Sequence, residues 1–212
     1  MMNKEPLKLE LENMVNTIIQ AQEALLIVKY LSVEENDPFK QYEKSKNSFF
    51  FYSRIMFWRL SVIELSKLFL RRDTEKYNLN KFLNKLDKGG IYSNLSISQE
   101  KISDWKNRIE SQIDDIKNLM LQRDQVYVHI DSTADSAQNT ISFFQAQKLL
   151  LLAQEIIKDI YTTCFQTEYL FELLGSPAKN LESCIERLAK ARSIELESLR
   201  QLEKAHGLSE KD

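Results

Sequence analysis

Apolar residues recur along most of this chain at intervals of three and four, the spacing that gathers one face of an α-helix. Over residues 7–31, Leu11, Met14, Val15, Ile18, Ile19, Leu25 and Leu26 fall on one such stripe and predict a first helix. Asp37-Pro38 blocks its continuation, because a residue before proline is pushed out of the α region. A basic, polar connection is expected from there to about Lys46. The second helix, about residues 48–71, is apolar on most sides, from Phe49, Phe50, Phe51 and Tyr52 to Leu68 and Phe69. That is the pattern of a central helix.

Boundary signals divide the rest. Asn78 can cap a short helix over Leu79–Leu86, with Leu79, Phe82, Leu83 and Leu86 at helical spacing, and Lys88-Gly89-Gly90 stops it. Ser96 and Gln99 have the spacing of a capping box and open a fourth helix. Its stripe of Ile102, Trp105, Ile109, Ile113, Ile116 and Met120 carries it to about His129. Residues 131–139 form a polar loop. Ser142 and Gln145 open a fifth helix that reaches Leu174. Gly175-Ser176-Pro177 closes it and starts the last helix, 178–206. This helix has no aromatic residue, and Leu181, Ile185, Leu188, Leu199 and Leu202 make a narrow stripe. It packs on the bundle or, as the narrow stripe favours, on a partner subunit. His206 at its frayed end is assigned no chemistry, and Ser209 to Asp212 read as a disordered tail.

Composition sharpens the fold class. Four glycines and three prolines in 212 residues are too few for a many-turned β-protein. The expectation is all-α: a bundle of four to five helices over residues 1–175 and an additional long amphipathic helix with a short tail over 176–212. No apolar run approaches the length of a membrane span, and Met1 to Pro6 lacks an apolar signal core. A cytoplasmic location is therefore expected, with Cys164 and Cys184 as reduced thiols that match no metal spacing.

Net charge is −2, which does not suit a bulk polyanion binder. It is unevenly spread, however. From Lys40 to Lys88 there are twelve Lys/Arg and five Asp/Glu, a local +7 that leaves −9 elsewhere. Two readings stay open: a nucleic-acid-facing side, or solvated helix faces that pair with acidic helices elsewhere.

Candidate chemistry concentrates in Gln122-Arg123-Asp124-Gln125-Val126-Tyr127-Val128-His129-Ile130-Asp131, which holds one of only two histidines. It supplies a fixed cation, a carboxylate and a group that titrates near neutral pH. Arg123, a small polar residue and then His129 resemble the R-x(4–6)-H motif of the HEPN superfamily, and most closely its abortive-infection (AbiU-type) branch. The string from Arg59 to Phe69 is also similar to the second helix of AbiU-type proteins. Within it Glu64 lies one turn before Lys67, an order that favours pairing. Glu64 is read as a paired structural acid or as a residue that orients the catalytic pair.

The resemblance implies a HEPN-like bundle and a metal-independent endoribonuclease of an antiviral or toxin–antitoxin system, with RNA as substrate and no cofactor. In the implied reaction a 2′-hydroxyl attacks the adjacent phosphate and leaves a 2′,3′-cyclic phosphate. His129 is the implied general acid or base, and Arg123 the implied holder of the phosphate. Asp124 orients either of them, while Gln125 shares a helix face with His129. Tyr127 contacts base or phosphate, or simply packs. On a straight helix Arg123 and His129 lie about 240° apart. Either the helix bends, or two protomers build the site, and the resemblance implies a homodimer. Asp131 stands where some HEPN toxins carry a tyrosine that a partner enzyme modifies, so silencing by that route is not expected. The alternative is a HEPN-fold module that binds RNA or protein without catalysis, with an antitoxin or regulatory protein as a further partner.

Overall fold

The computed structural model describes residues 4–70, 77–95, 97–124, 141–171 and 176–206. They form eight α-helices, and no strand occurs among them. The helices are α1 (Glu5–Ser32), α2 (Pro38–Ser45), α3 (Ser48–Phe69), α4 (Leu79–Leu86), α5 (Gln99–Glu110), α6 (Ile113–Leu121), α7 (Phe143–Phe165) and α8 (Pro177–Ala205). By contacts the chain separates into two compact units, one of residues 1–25 and 58–173, the other of residues 26–57 and 174–212. Helices α1 and α3 each contribute to both. No helix is long and apolar enough to cross a membrane, among the described residues.

The larger unit is built on the predicted stripes. Leu7, Leu11, Met14 and Ile18 of α1 are buried with Val62, Leu65 and Leu68 of α3 and with Leu149, Ile156 and Ile160 of α7. Trp105 of α5 has no exposed surface, and its indole N–H donates to Asp159 Oδ2 at 3.3 Å. Arg108, one turn on, reaches Asp159 at 3.1 Å and Glu155 at 2.6 Å, so the wet edge of the α5–α7 contact is clamped by charge. Helix α4 matches its predicted bounds: Asn78 accepts from the Lys81 backbone N–H, and all four of its apolar residues are buried. It stops where Gly89 takes φ +84° and Gly90 passes so close to the Lys85 carbonyl that a Cβ would lie 2.3 Å from it. Only glycine fits that approach. Glu10 of α1 ties this corner down, accepting from Lys85 Nζ at 2.7 Å and from the Tyr92 hydroxyl at 3.0 Å.

Several expected bounds differ. The Asp37-Pro38 stop is also a start: Asp37 accepts from the backbone N–H groups of Phe39 and Lys40, Pro38 sits in the first turn, and α2 follows where a connection was expected. The predicted fourth helix is two helices. Ser111 turns its hydroxyl back to the Arg108 carbonyl, and Gln112 leaves helical geometry at φ −109°, ψ 18°. The N-cap of α5 is Ser98, which accepts from the Lys101 N–H; Ser96, expected to form a capping box with Gln99, lies outside the described residues. The capping box of Ser142 and Gln145 forms as predicted. Helix α7 nevertheless ends at Phe165, short of the expected Leu174, because Gln166 adopts the left-handed conformation at φ 55°. The chain then folds back, and the Tyr169 ring packs, tilted, against those of Tyr161 and Phe171 at 4.8 and 4.9 Å.

The smaller unit has its own core of Ile27, Leu31, Phe50 and Ile185. Helix α8 packs along α2 within it. Glu43, almost fully buried, accepts from Arg192 Nε at 2.9 Å and from Asn47 Nδ2 at 2.6 Å. The Arg192 guanidinium lies 3.9 Å from the centre of the Tyr42 ring. Lys44, also buried, pairs with Glu35 and lies 3.9 Å over Tyr30. So the first half of α8 binds its own chain through apolar and ionic contacts, and needs no partner subunit for that. The tail Ser209 to Asp212 lies outside the described residues.

Candidate functional site

Helix α6 carries the site. Asp114 and Asp115 lie in its first turn, where acids suit the positive end of the helix dipole. Ile116 and Leu119 are buried in the core of the larger unit, which fixes the helix's rotation. Beyond Leu121 the backbone widens to π-helical geometry over residues 122–124. Such turns depart from the regular ladder and occur often at functional positions. Here the widening sets the direction of Arg123 and Asp124, two of the predicted site residues.

Those two side chains are joined. Arg123 Nε donates to Asp124 Oδ1 at 2.7 Å, and its NH2 lies 2.5 Å from the same oxygen. The Arg123 side chain is largely buried and that of Asp124 is half-buried. A guanidinium held this way presents a fixed orientation at low entropic cost, with donors in a rigid plane. Beside it opens a cavity of about 570 Å³, lined by Phe69 and Leu70 at the end of α3, by Ile113, Ile116, Lys117, Met120 and Leu121, and by Arg123 and Asp124. Its walls are apolar with charge at one side, and its volume is that of sites for small organic groups.

The other predicted residues divide in two. Glu64 is buried and accepts from Lys67 Nζ at 2.6 Å, the pairing expected from their spacing. It is held by Lys67 from within α3. Gln125, Tyr127 and His129 lie outside the described residues, as does Asp131.

The cavity itself was not predicted. Ile113, Ile116 and Met120 belonged to the expected apolar stripe, but nothing in their spacing distinguishes a stripe covered by neighbours from one left open. Lys117 carried no signal beyond its place three residues after Asp114, with which it pairs at 3.1 Å.

Part of the basic segment resolves into pairs. Lys40 reaches Glu186 at 3.0 Å, Lys44 pairs with Glu35, Lys67 with Glu64, and Lys85 with Glu10. The local excess of positive charge is thus partly answered by acids close in sequence or brought in by the fold. Among the described residues no cluster of three or more His, Cys, Asp or Glu is placed to hold a metal ion. Cys164 is buried and burial pushes its thiol pKa up, which makes it a poor nucleophile. Cys184 is exposed.

No protein-family model, curated protein or solved structure matches this chain.

Proposed function

We propose that this protein is a metal-independent endoribonuclease of the HEPN type, acting in antiviral defence or as a toxin, with its site at the end of α6. One observation carries the reading: Arg123 is oriented by Asp124 at the edge of an apolar cavity, six residues before His129. The reaction needs a cation to stabilise the charge that gathers on phosphate. It also needs proton transfer at the attacking and leaving oxygens. Arg123 has the first role in this reading, and His129 serves as general acid or base. Asp124 keeps the guanidinium plane fixed, and the cavity takes part of the substrate's nucleoside. Dimerisation brings a second copy of the motif to the same cleft.

A mixed RNA pool incubated with pure protein in chelator is the test, beside His129→Ala and Arg123→Ala, with folding matched by circular dichroism. The expected result is cleavage by the unaltered protein alone, leaving 2′,3′-cyclic phosphate ends. Removal of His129 should lower the rate roughly 10²- to 10⁴-fold. Activity lost on chelation, or cleavage unchanged in both variants, overturns the proposal.

The pairing of Lys40, Lys44, Lys67 and Lys85 with acids favours a second reading, a HEPN-fold module that binds without catalysis. RNA binding with no cleavage by any of the three proteins decides for it.

A further inference from the structure

The cavity beside Arg123 has a second cation on its wall. On α6, Ile113, Ile116, Lys117 and Met120 share one helix face, and all four line the cavity. Among the described lining residues the charged ones are Lys117, Arg123 and Asp124. Their two cations are held differently. Arg123 is locked on Asp124, with its side chain largely buried. Lys117 meets Asp114 one turn earlier at 3.1 Å, and these side chains are 64% and 88% exposed. A pair so open to water contributes little to stability. Asp114 is also favoured by the positive end of the helix dipole, in the first turn of α6. An incoming anion can therefore take over the ammonium, which swings on a flexible four-carbon stem.

Six residues, about 9 Å of helix, separate Lys117 from Arg123. The rest of the described lining is apolar, with Phe69 and Leu70 from the end of α3 joining the residues of α6. The cavity thus offers a fixed cation, a movable cation and an apolar space of about 570 Å³. A ligand with one anionic group, such as a fatty acid, leaves one of the two cations unused. A ring system that carries an anionic group on either side engages both. One nucleotide of an RNA strand has that form, a base with a phosphate on its 3′ side and another on its 5′ side. The apolar side chains offer no hydrogen bonds to base edges, so phosphate contacts would set the position and base identity would count for little.

We infer that the cavity holds one nucleotide through both of its phosphates, Arg123 taking the 3′ phosphate and Lys117 the 5′ phosphate. The choice of a nucleotide rests on the ribonuclease reading, in which the phosphate on Arg123 is the one attacked by the neighbouring 2′-hydroxyl. Lys117 is a binding residue in this arrangement and does not touch the reacting atoms.

The experiment is calorimetric titration of the full chain with adenosine 3′,5′-bisphosphate and with adenosine 3′-monophosphate, beside Lys117→Met and Lys117→Arg. Both replacements keep a long stem and a good helix former at an exposed position, so circular dichroism should match. The bisphosphate should bind the unaltered chain roughly three- to tenfold more tightly than the monophosphate. Lys117→Met should abolish that gain and Lys117→Arg should keep it, while the monophosphate binds all three alike. A second arm uses a 2′-O-methylated oligoribonucleotide, which cannot be cleaved, over a salt series. If a strand is the ligand, Lys117→Met lowers the slope of log K against log salt by about 1. A lost bisphosphate gain with an unchanged slope supports the two-phosphate site as one for a free nucleoside bisphosphate, and counts against the ribonuclease reading instead. A gain that survives Lys117→Met, or no gain in the unaltered chain, overturns the inference. RNA cleavage dependent on Arg123 and His129 would then still stand, so the two failures are told apart. Binding of neither nucleotide overturns the inference as well.

Discussion

Nε and Nη2 of Arg123 converge on a single oxygen of Asp124, so one carboxylate fixes the plane of the guanidinium without enclosing it. In the proposed reaction Arg123→Lys should therefore fail to support RNA cleavage, since a lysine cannot present two donors in one plane. Loss of about 10²- to 10³-fold in kcat is expected, as for removal of other oxyanion donors. Asp124→Asn keeps the shape and removes the charge, and its smaller loss should appear in kcat with binding of RNA nearly unchanged. A second residue-scale expectation concerns alkali. Burial, and for Tyr92 also its hydrogen bond to Glu10, push the hydroxyls of Tyr30, Tyr92 and Tyr161 up to about 12. In the unfolded chain these groups ionise near pH 10. Their contribution is thus complete below about pH 10 and is lost as pH rises towards 12, because the unfolded chain releases its protons first. Melting temperature followed across that range should fall, and fall less steeply in Tyr92→Phe. At this scale Glu64 with Lys67 was legible, because spacing on one helix sets both partners. Glu10 with Lys85 and Tyr92 was not, because 75 and 82 residues separate them.

Helix starts were more legible than helix ends. A start depends on a side chain folding back on its own next turn, as with Asn78 and Ser142. Ser142→Ala should lower stability by about 1 kcal/mol, seen as a fall in the denaturant midpoint at constant slope. Ends depend on what the departing chain can pack against. Nothing local in Gln166 announces a left-handed turn; the aromatic run from Tyr169 to Phe171 draws the chain back over Tyr161. The break at Ser111 and Gln112 similarly lets α5 and α6 each present an apolar face to the same core. Helix α3 shows the limit of reading burial from composition. Its stripe was expected to be central, yet its first half buries only Phe50 deeply and leaves Phe49, Tyr52 and Met56 in the open. Hydrophobicity states that a surface gains by being covered, and leaves open which molecule covers it.

At the scale of the whole molecule, α8 belongs to the smaller of the two units and packs there on α2. Arg192 should matter more than an exposed ion pair does, because Glu43 beneath it is nearly fully buried. Arg192→Ala should speed hydrogen exchange in the first half of α8 and leave the amides of α7 protected. Glu43→Gln in the same background should restore part of that protection. The amino-acid sequence by itself determined the all-helical class, most helix starts, and the core stripes of α1, α4, α5 and α7. All of these follow from periodicity and contacts within a few residues of one another. Only the tertiary structure decided that α8 is anchored through α2, that α3 keeps an open face, and that a cavity lies beside Arg123. Each of those is a question of which distant surface arrives to cover a given one. Periodicity along the chain is blind to that, because the same apolar stripe serves equally well against its own chain, a cavity or a second molecule.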